Sequence, residues 1–323
     1  MKNIFENKSV LVTGAGGTIG SEICKNLLEK KVARLYCYDI SEYSLYRLSQ
    51  FFKDDPRVRY LIGDVRDRER LERSVSSANI VIHAAALKHV RFCEFNPDEA
   101  YKTNVAGTQN IVDCCRKSSV DHCVLISTDK AVNPTSVMGT TKLLAEKIFM
   151  NAPERDGTDH TKFTVVRFGN VFGSAGSVIE TFQRQIMKGE CLTLTEEDIS
   201  RYFISTTEAC NLVLDCVDIS EGKFTTPIFI LKMKKARIKT IGERMSSYFK
   251  KNEPPVFNIT GLKGGEKFEE LLYTRHEKEY LREMGKYMVV TREKQPNTFE
   301  EDECFMTDLE IDQLILEWFS KNR

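Results

Sequence analysis

The sequence predicts an α/β protein built on a Rossmann-type, doubly wound parallel sheet, with a smaller C-terminal α+β lobe. Three observations carry this. Short apolar runs alternate with amphipathic stretches through the first half, a glycine-rich turn separates the first run from the first helix, and the alternation turns irregular after residue 170. The expected division is residues 1–170 as the sheet domain, completed by later segments, and 171–323 as the smaller lobe.

Taken in order, Ser9-Val10-Leu11-Val12-Thr13 is a buried strand, and Thr18 to Lys30 is a helix with Ile19, Ile23, Leu27 and Leu28 on one face. Strand-like runs follow at Arg34–Tyr38, Val58–Ile62, Ile80–His83, Cys123–Ser127 and Phe163–Arg167, with helices beginning near Ser41, Asp67, Pro97, Ser136 and Ser177. Single helices between short strands make βαβ units with helices on both faces of a parallel sheet. Later strands are expected at Cys191–Leu194, Ile228–Leu231, Val256–Ile259 and Tyr287–Val290, and helices over Thr207–Val217, Ile238–Tyr248, Lys267–Leu272 and Asp308–Ser320. The polar stretch Asn151–Thr161 reads as a surface loop.

Composition excludes several function classes. The 47 basic and 47 acidic residues balance, so no long-range field gathers nucleic acid or an anionic membrane surface, and anionic ligands must be held locally. The ten cysteines form no CxxC pair and no cluster with histidine at metal-ligand spacing. Most, with Cys24, Cys37, Cys114, Cys115, Cys123, Cys210 and Cys216 inside apolar helix or strand patterns, are expected to be small core residues in a reducing cytosol, with no metal site. Without a secretory leader or about 18 consecutive apolar residues, a cytoplasmic protein with no membrane partner is expected.

Thr13-Gly14-Ala15-Gly16-Gly17-Thr18-Ile19-Gly20 lies between the first strand and the first helix, with Asp39 about 20 residues on. Gly14 suits the tight turn, Gly17 a close backbone approach to a pyrophosphate, and Gly20 close helix–sheet packing, while the helix N-terminus offers unpaired N–H groups to the anion. Asp39 ends the second strand before Ser41, where its carboxylate can accept from both ribose hydroxyls and repels a 2′-phosphate. NAD is therefore expected over NADP, although Arg47 or Arg66 stands near enough in sequence to oppose that preference. Asp64-Val65 is placed at the adenine, Ala84-Ala85-Ala86 lies along the cofactor, and His83 is read as packed rather than catalytic. Asn104 completes the set of expected cofactor residues.

By these motifs the chain resembles the extended short-chain dehydrogenase/reductases, and more narrowly the nucleotide-sugar 4,6-dehydratases of polysaccharide and glycan biosynthesis. The specific pieces are Asp39-Ile40-Ser41-Glu42, Gly63-Asp64-Val65-Arg66-Asp67, His83 to Val90, Thr103-Asn104-Val105-Ala106-Gly107-Thr108 and Ser127 to Pro134. Arg167-Phe168-Gly169-Asn170-Val171, Ser200-Arg201-Tyr202-Phe203 and Gly264-Gly265-Glu266-Lys267 extend the resemblance over nearly the whole chain. Met138 stands in the slot where a dehydrogenase of this family carries its tyrosine, four residues before Lys142. A thioether removes no proton, so the acid–base work is expected from Thr128, Asp129 and Lys130.

The resemblance implies that Asp129 donates a proton to the departing C6 hydroxyl and that Lys130 takes the C5 proton. Thr128, or a water it orients, is the candidate for the C4 hydroxyl proton, and Lys142 is expected to hold the nicotinamide ribose. Asp129 must then carry a proton and Lys130 must lack one, whereas a salt bridge between them favours the opposite charge states. Lys88 is expected to touch substrate. Asn170 and the turn bearing Ser177 and Val178 are expected to hold the sugar diphosphate, with Arg201 clamping the phosphates and Glu266 accepting from the nucleotide ribose. Two departures from the family pattern, Lys263-Gly264 for Arg-Pro and Ile199-Ser200 for Met-Thr, alter the nucleotide-sugar end.

The function expected is an NAD-dependent lyase converting a UDP-N-acetylhexosamine, UDP-GlcNAc first, to its 4-keto-6-deoxy product with C5 configuration retained, as the methionine-bearing branch implies. A C4 epimerase, a C5-inverting dehydratase and a non-catalytic cofactor-binding scaffold remain alternatives. A homodimer through Pro97–Lys117 and Ser136–Met150 is the expected assembly.

Overall fold

Alternate side chains of the first strand enter opposite cores: Val10 and Val12 pack on one face of the sheet with Ile23, Leu27 and Val213, and Leu11 packs on the other with Val81, Ile111 and Leu125. Apolar residues at every position are what a strand covered on both faces requires. The computed structural model describes residues 3–118, 120–154, 160–219, 224–249, 254–295 and 304–321.

The first half runs β1 (Ser9–Thr13), α1 (Thr18–Glu29), β2 (Arg34–Asp39), α2 (Glu42–Phe52), β3 (Val58–Ile62), α3 (Arg68–Val75) and β4 (Ile80–His83). Then come α4 (Val90–Phe95), α5 (Pro97–Ala100), a wide π-type turn over Tyr101–Ala106, α6 (Gly107–Lys117), β5 (His122–Ile126), α7 (Val137–Asn151) and β6 (Lys162–Arg167). Ser41, Asp67 and Ser136 cap α2, α3 and α7 by accepting from Ser44 N, Arg70 N and Gly139 N. The rest contains β7 (Asn170–Val171), α8 (Val178–Lys188), β8 (Leu192–Leu194), β9 (Ser200–Ile204), α9 (Thr206–Ile219), β10 (Ile228–Leu231) and β11 (Lys235–Arg237). It ends with α10 (Ile238–Tyr248), β12 (Phe257–Ile259), α11 (Arg275–Lys278), β13 (Leu281–Met284), β14 (Tyr287–Val290) and α12 (Asp308–Lys321).

Nine strands form one sheet in the order β13-β14-β10-β6-β5-β4-β1-β2-β3. It is the expected Rossmann-type fold, parallel from β3 through β10, with β14 and β13 added antiparallel. The strand order reverses beside β1, whose neighbours are β2 and β4. Ligands of open α/β sheets bind at such a switch point, beyond the strands' carboxyl ends. A third core, with Phe182, Leu192, Ile241, Met245, Ile315 and Trp318, is built by segments after residue 170.

Two expectations are corrected. Lys267–Leu272 is not a helix, because Arg201 takes the carbonyls of Lys267 and Phe268 at 2.7 and 3.0 Å and holds the segment open. The helix expected from Pro97 runs through to Lys117, its middle wound as a π-helix over Tyr101–Ala106. Of the expected 151–161 loop, the beginning completes α7 and a 3-10 turn over Ala152–Glu154, and 155–159 lie outside the described residues. The sequence reading also lacked α4, β7, β9, β11, α11 and β13.

Candidate active site

One cleft of about 1100 Å³ runs from the first βα turn to the loop around Glu266. At its first end Gly14 turns with φ +66°, and a Cβ there would lie 2.7 Å from Ala85 N, so only glycine lets the turn meet the β4 end. Gly17 opens α1 with no side-chain cap, leaving first-turn N–H groups directed at the cleft, which Thr18, Ile19 and Gly20 also line. A Cβ on Gly20 would collide with Gly14 O, so the helix can pack this close only with glycine there.

The Asp39 carboxylate accepts from Gly16 N and Ser41 N, both at 2.9 Å. It lines the cleft, whereas Gly16 and Ser41 lie behind it. Asp64 and Val65 line the same end, with Asp64 bonded to Arg66 and its carbonyl receiving the Tyr38 hydroxyl at 2.9 Å. Burial pushes that phenol up to about 12. The Arg66 guanidinium holds the Asp64 carboxyl below the usual carboxylate range although burial opposes it. Ala84, Ala85 and Ala86 line the cleft's floor. Asn104 does not reach it: its amide accepts from Leu87 N and donates to Leu87 O and Thr141 Oγ1, fixing the loop after β4. His83 is buried between Thr13 Oγ1 and Thr108 Oγ1, and burial, then the Lys142 charge, pulls it down to about 3. It is a packed neutral residue, as expected.

At the centre, β5 ends in a short 3-10 turn over Asp129–Ala131, capped by Thr128. Thr128 and Lys130 line the cleft, and Asp129 lies fully buried behind them. Its Oδ1 accepts from Thr128 Oγ1 at 2.9 Å and from Lys130 Nζ at 3.0 Å, and its Oδ2 accepts no hydrogen bond. Asp129 therefore meets the cleft through its two neighbours. The expected tension is real, since the two charges are in hydrogen-bond contact. Lys130 Nζ also bonds Asn170 Oδ1 at 2.9 Å and lies 3.8 Å from Glu270 Oε1.

Met138 lines the cleft and packs on Cys93 and Ala100. One helical turn on, the buried Lys142 amine donates to Ile126 O at 2.7 Å. Desolvation pulls it down to about 8 against the Glu146 charge. Beneath it Ser127 Oγ donates to Glu146 at 2.6 Å, and the buried Arg167 pairs with Glu146 and Glu277 at 2.7 and 3.0 Å.

Beyond the centre, Lys88 lines the cleft, with desolvation lowering its amine below the ordinary lysine range against the Glu180 charge. Ser177 and Val178 line it at the start of α8, where the Ser177 hydroxyl is buried without a partner. Arg201 and Glu266 line the far end. Here Arg201 Nη1 and Nη2 donate to the carbonyls of Ser200, Phe268 and Lys267 and to Glu266 Oε1, so the guanidinium expected to clamp phosphates is bonded to protein acceptors. Sequence reasoning missed Glu270 and the contact Lys267 makes with it, although Lys267 ends the Gly264-Gly265-Glu266-Lys267 motif and Glu270 lies three residues on. Among the described residues no cluster suits a metal ion, and no helix is long and apolar enough to cross a membrane.

The family described as polysaccharide biosynthesis protein matches residues 10–292. An uncharacterized membrane protein of Methanocaldococcus jannaschii is 43% identical over 90% of this chain and 87% of its own length. A Campylobacter jejuni protein named UDP-N-acetylglucosamine 4,6-dehydratase (inverting) is 35% identical over 89% of this chain and 84% of its own. The solved structure of Pen from Bacillus thuringiensis superposes with a TM-score of 0.90 at 34% identity, covering 97% of this chain and 98% of that one. The chain thus belongs to the polysaccharide biosynthesis protein family, within the extended short-chain dehydrogenase/reductases.

Proposed function

We propose that this enzyme is an NAD-dependent nucleotide-sugar 4,6-dehydratase acting on a UDP-N-acetylhexosamine, UDP-GlcNAc first, with C5 configuration retained. The observation that carries the reading is the placement of Thr128, Lys130 and Met138 on the same cleft as the Asp39-bearing glycine turn, with Asp129 bonded to the first two. The residues fit the cofactor: Gly14 makes the tight turn against the β4 end, Gly17 and the uncapped N–H groups at α1 suit a pyrophosphate, and Asp39 suits an unphosphorylated ribose. Bound there, NAD supplies a hydride acceptor for C4 and a donor for C6.

The chain's own residues move the protons. Shifting one proton along the 3.0 Å Nζ–H···Oδ1 bond converts the Asp129–Lys130 ion pair into a neutral acid and a neutral amine with no change in net charge. Lys130 then has a lone pair for the C5 proton once its amine rotates toward the cleft. The C4 hydroxyl proton, lost as hydride leaves, passes through Thr128 Oγ1 or a water it orients to solvent. Asp129 holds a proton that Thr128 Oγ1 can relay to the C6 oxygen, which departs as water. Lys130 returns its proton to C5 as hydride returns to C6, and a solvent proton restores the Asp129–Lys130 ion pair. Lys142 offers a donor near the nicotinamide ribose, and Met138 fills the tyrosine slot without competing for protons. Lys88, Asn170, Ser177, Val178 and Glu266 line the part of the cleft left for the nucleotide sugar. The ten unpaired cysteines support a cytoplasmic setting. Leu144, exposed on α7, supports pairing of two copies through α6 and α7.

Incubation with UDP-GlcNAc and NAD in D2O, followed by NMR of the product, tests the reading. A 4-keto-6-deoxy sugar with unchanged C5 configuration is expected. The inverted C5 epimer would favour the activity in the Campylobacter relative's name, a C4 epimer without C5 deuterium would make the protein an epimerase, and no turnover would leave a binding scaffold.

A further inference from the structure

Lys130 is held by more than its neighbours in sequence. Its amine has Asp129 Oδ1 at 3.0 Å, Asn170 Oδ1 at 2.9 Å and, on a third side, Glu270 Oε1 at 3.8 Å. Glu270 is buried, 4% exposed, and its other oxygen accepts from Lys267 Nζ at 3.0 Å. Lys267 also donates to Val132 O at 2.7 Å, just past the turn that carries Asp129 and Lys130. Four charges, two of each sign, therefore lie in a row from Asp129 through Lys130 and Glu270 to Lys267. Among the described residues no other charged side chain bonds the Lys130 amine. Lys142 on α7 is turned to Ile126 O, and Arg201 and Glu266 bond each other and the loop backbone farther along the segment.

A second carboxylate beside Lys130 stabilises its ammonium and so works against any step that needs the neutral amine. Lys267 offsets that charge at hydrogen-bond distance. We infer that Glu270 and Lys267 form a positioning pair that sets the pH range in which Lys130 can act as a base, Glu270 anchoring the amine and Lys267 limiting how strongly that anchor retains the proton. The inference rests on the dehydratase reading, in which Lys130 takes the C5 proton. Neither residue touches the reacting atoms. Their effect passes through Lys130, and because Asp129 and Lys130 share a proton, both limbs of the pH–rate profile move together.

The two charges predict opposite shifts, which a packing role does not produce. Glu270→Gln keeps the shape and removes the negative charge, so the profile should move to lower pH by about one unit, the low end of the range for a charge within ~4–6 Å. Lys267→Met leaves Glu270 uncompensated, so the profile should move by about one unit to higher pH. In parallel, pH-dependent acylation of the Lys130 amine in the whole protein, read by mass spectrometry, should shift in the same two directions without any turnover. Profiles and acylation curves that stay in place, or move the same way in both variants, overturn the inference. Should Lys267→Met not fold, Glu270→Gln decides it by moving to lower pH or not. Wild-type protein that makes no 4-keto-6-deoxy sugar defeats the dehydratase reading instead, and the acylation curves still report the electrostatic pair.

Discussion

Asp129 and Lys130 are adjacent in sequence, yet they meet different surroundings: one is fully buried and the other opens on the cleft. That asymmetry suits an acid that keeps its proton away from water and a base that must reach carbon. Asp129→Asn should keep the shape of the turn and remove the shared proton. Lys130→Met should remove the amine while leaving the glycine turn intact. Each is expected to lose at least ~100-fold in kcat with KM for the nucleotide sugar little changed, measured by steady-state kinetics. Near wild-type kcat in both variants would take the elimination chemistry away from this pair. At this scale much of the site was legible, because Thr128, Lys130, Met138 and Lys142 come from one strand end and the helix after it. The Glu270 contact was not, since 140 residues separate it from Lys130 and only the folded chain brings them together.

Strands with a plain apolar pattern were found in the sequence with bounds off by a residue at most, as in Val58–Ile62 and Ile228–Leu231. β9 was missed because its buried run Ser-Arg-Tyr-Phe-Ile contains a guanidinium, which argues against a core strand until its acceptors are seen. The same side chain undid the helix expected over 267–272: the spacing of Phe268, Leu271 and Leu272 imitates a helical face, but Arg201 occupies the carbonyls such a helix needs. Arg167 on β6 plays a comparable part in the sheet domain, tying α7 through Glu146 to α11 through Glu277 with almost no exposure. Arg167→Met would leave the buried Glu146 and the partly buried Glu277 without their counter-charge. A loss of about 3–5 kcal/mol is expected in urea unfolding, the cost of breaking rather than replacing a buried pair. A loss under about 1 kcal/mol would mean that water reaches these carboxylates once the guanidinium is gone.

Across the whole molecule, buried titratable groups give stability a definite pH dependence. His83 and His122 are each pulled from the ordinary histidine range to about 3 by burial. Between about 3 and 6.5 the unfolded chain binds protons at these rings that the folded chain does not, so stability rises with pH across that window. Lys142, lowered from 10.5 to about 8, acts in the same direction between those values, because the unfolded lysine stays protonated after the folded one has released its proton. Opposing it above about 9, burial raises the thiols of Cys114 and Cys210 to about 11 and 12, and also raises those of Cys24, Cys115 and Cys216. These thiols ionise first in the unfolded chain, so stability falls, and five of them outweigh one ammonium. Urea unfolding is therefore expected to show a rise from pH 4 to 7, a plateau, and a decline beyond about 9. Lys142→Met isolates the lysine's share: below pH 8 it removes a buried charge whose shift amounts to about 3 kcal/mol, and it gives up one hydrogen bond of about 1 kcal/mol. The variant should be more stable than wild type by about 2 kcal/mol at pH 7, and that gain should shrink steadily from pH 8 to 10.5. A variant that is less stable at pH 7, or whose advantage does not change with pH, would show that Lys142 is not held in the folded chain as an ammonium under desolvation strain.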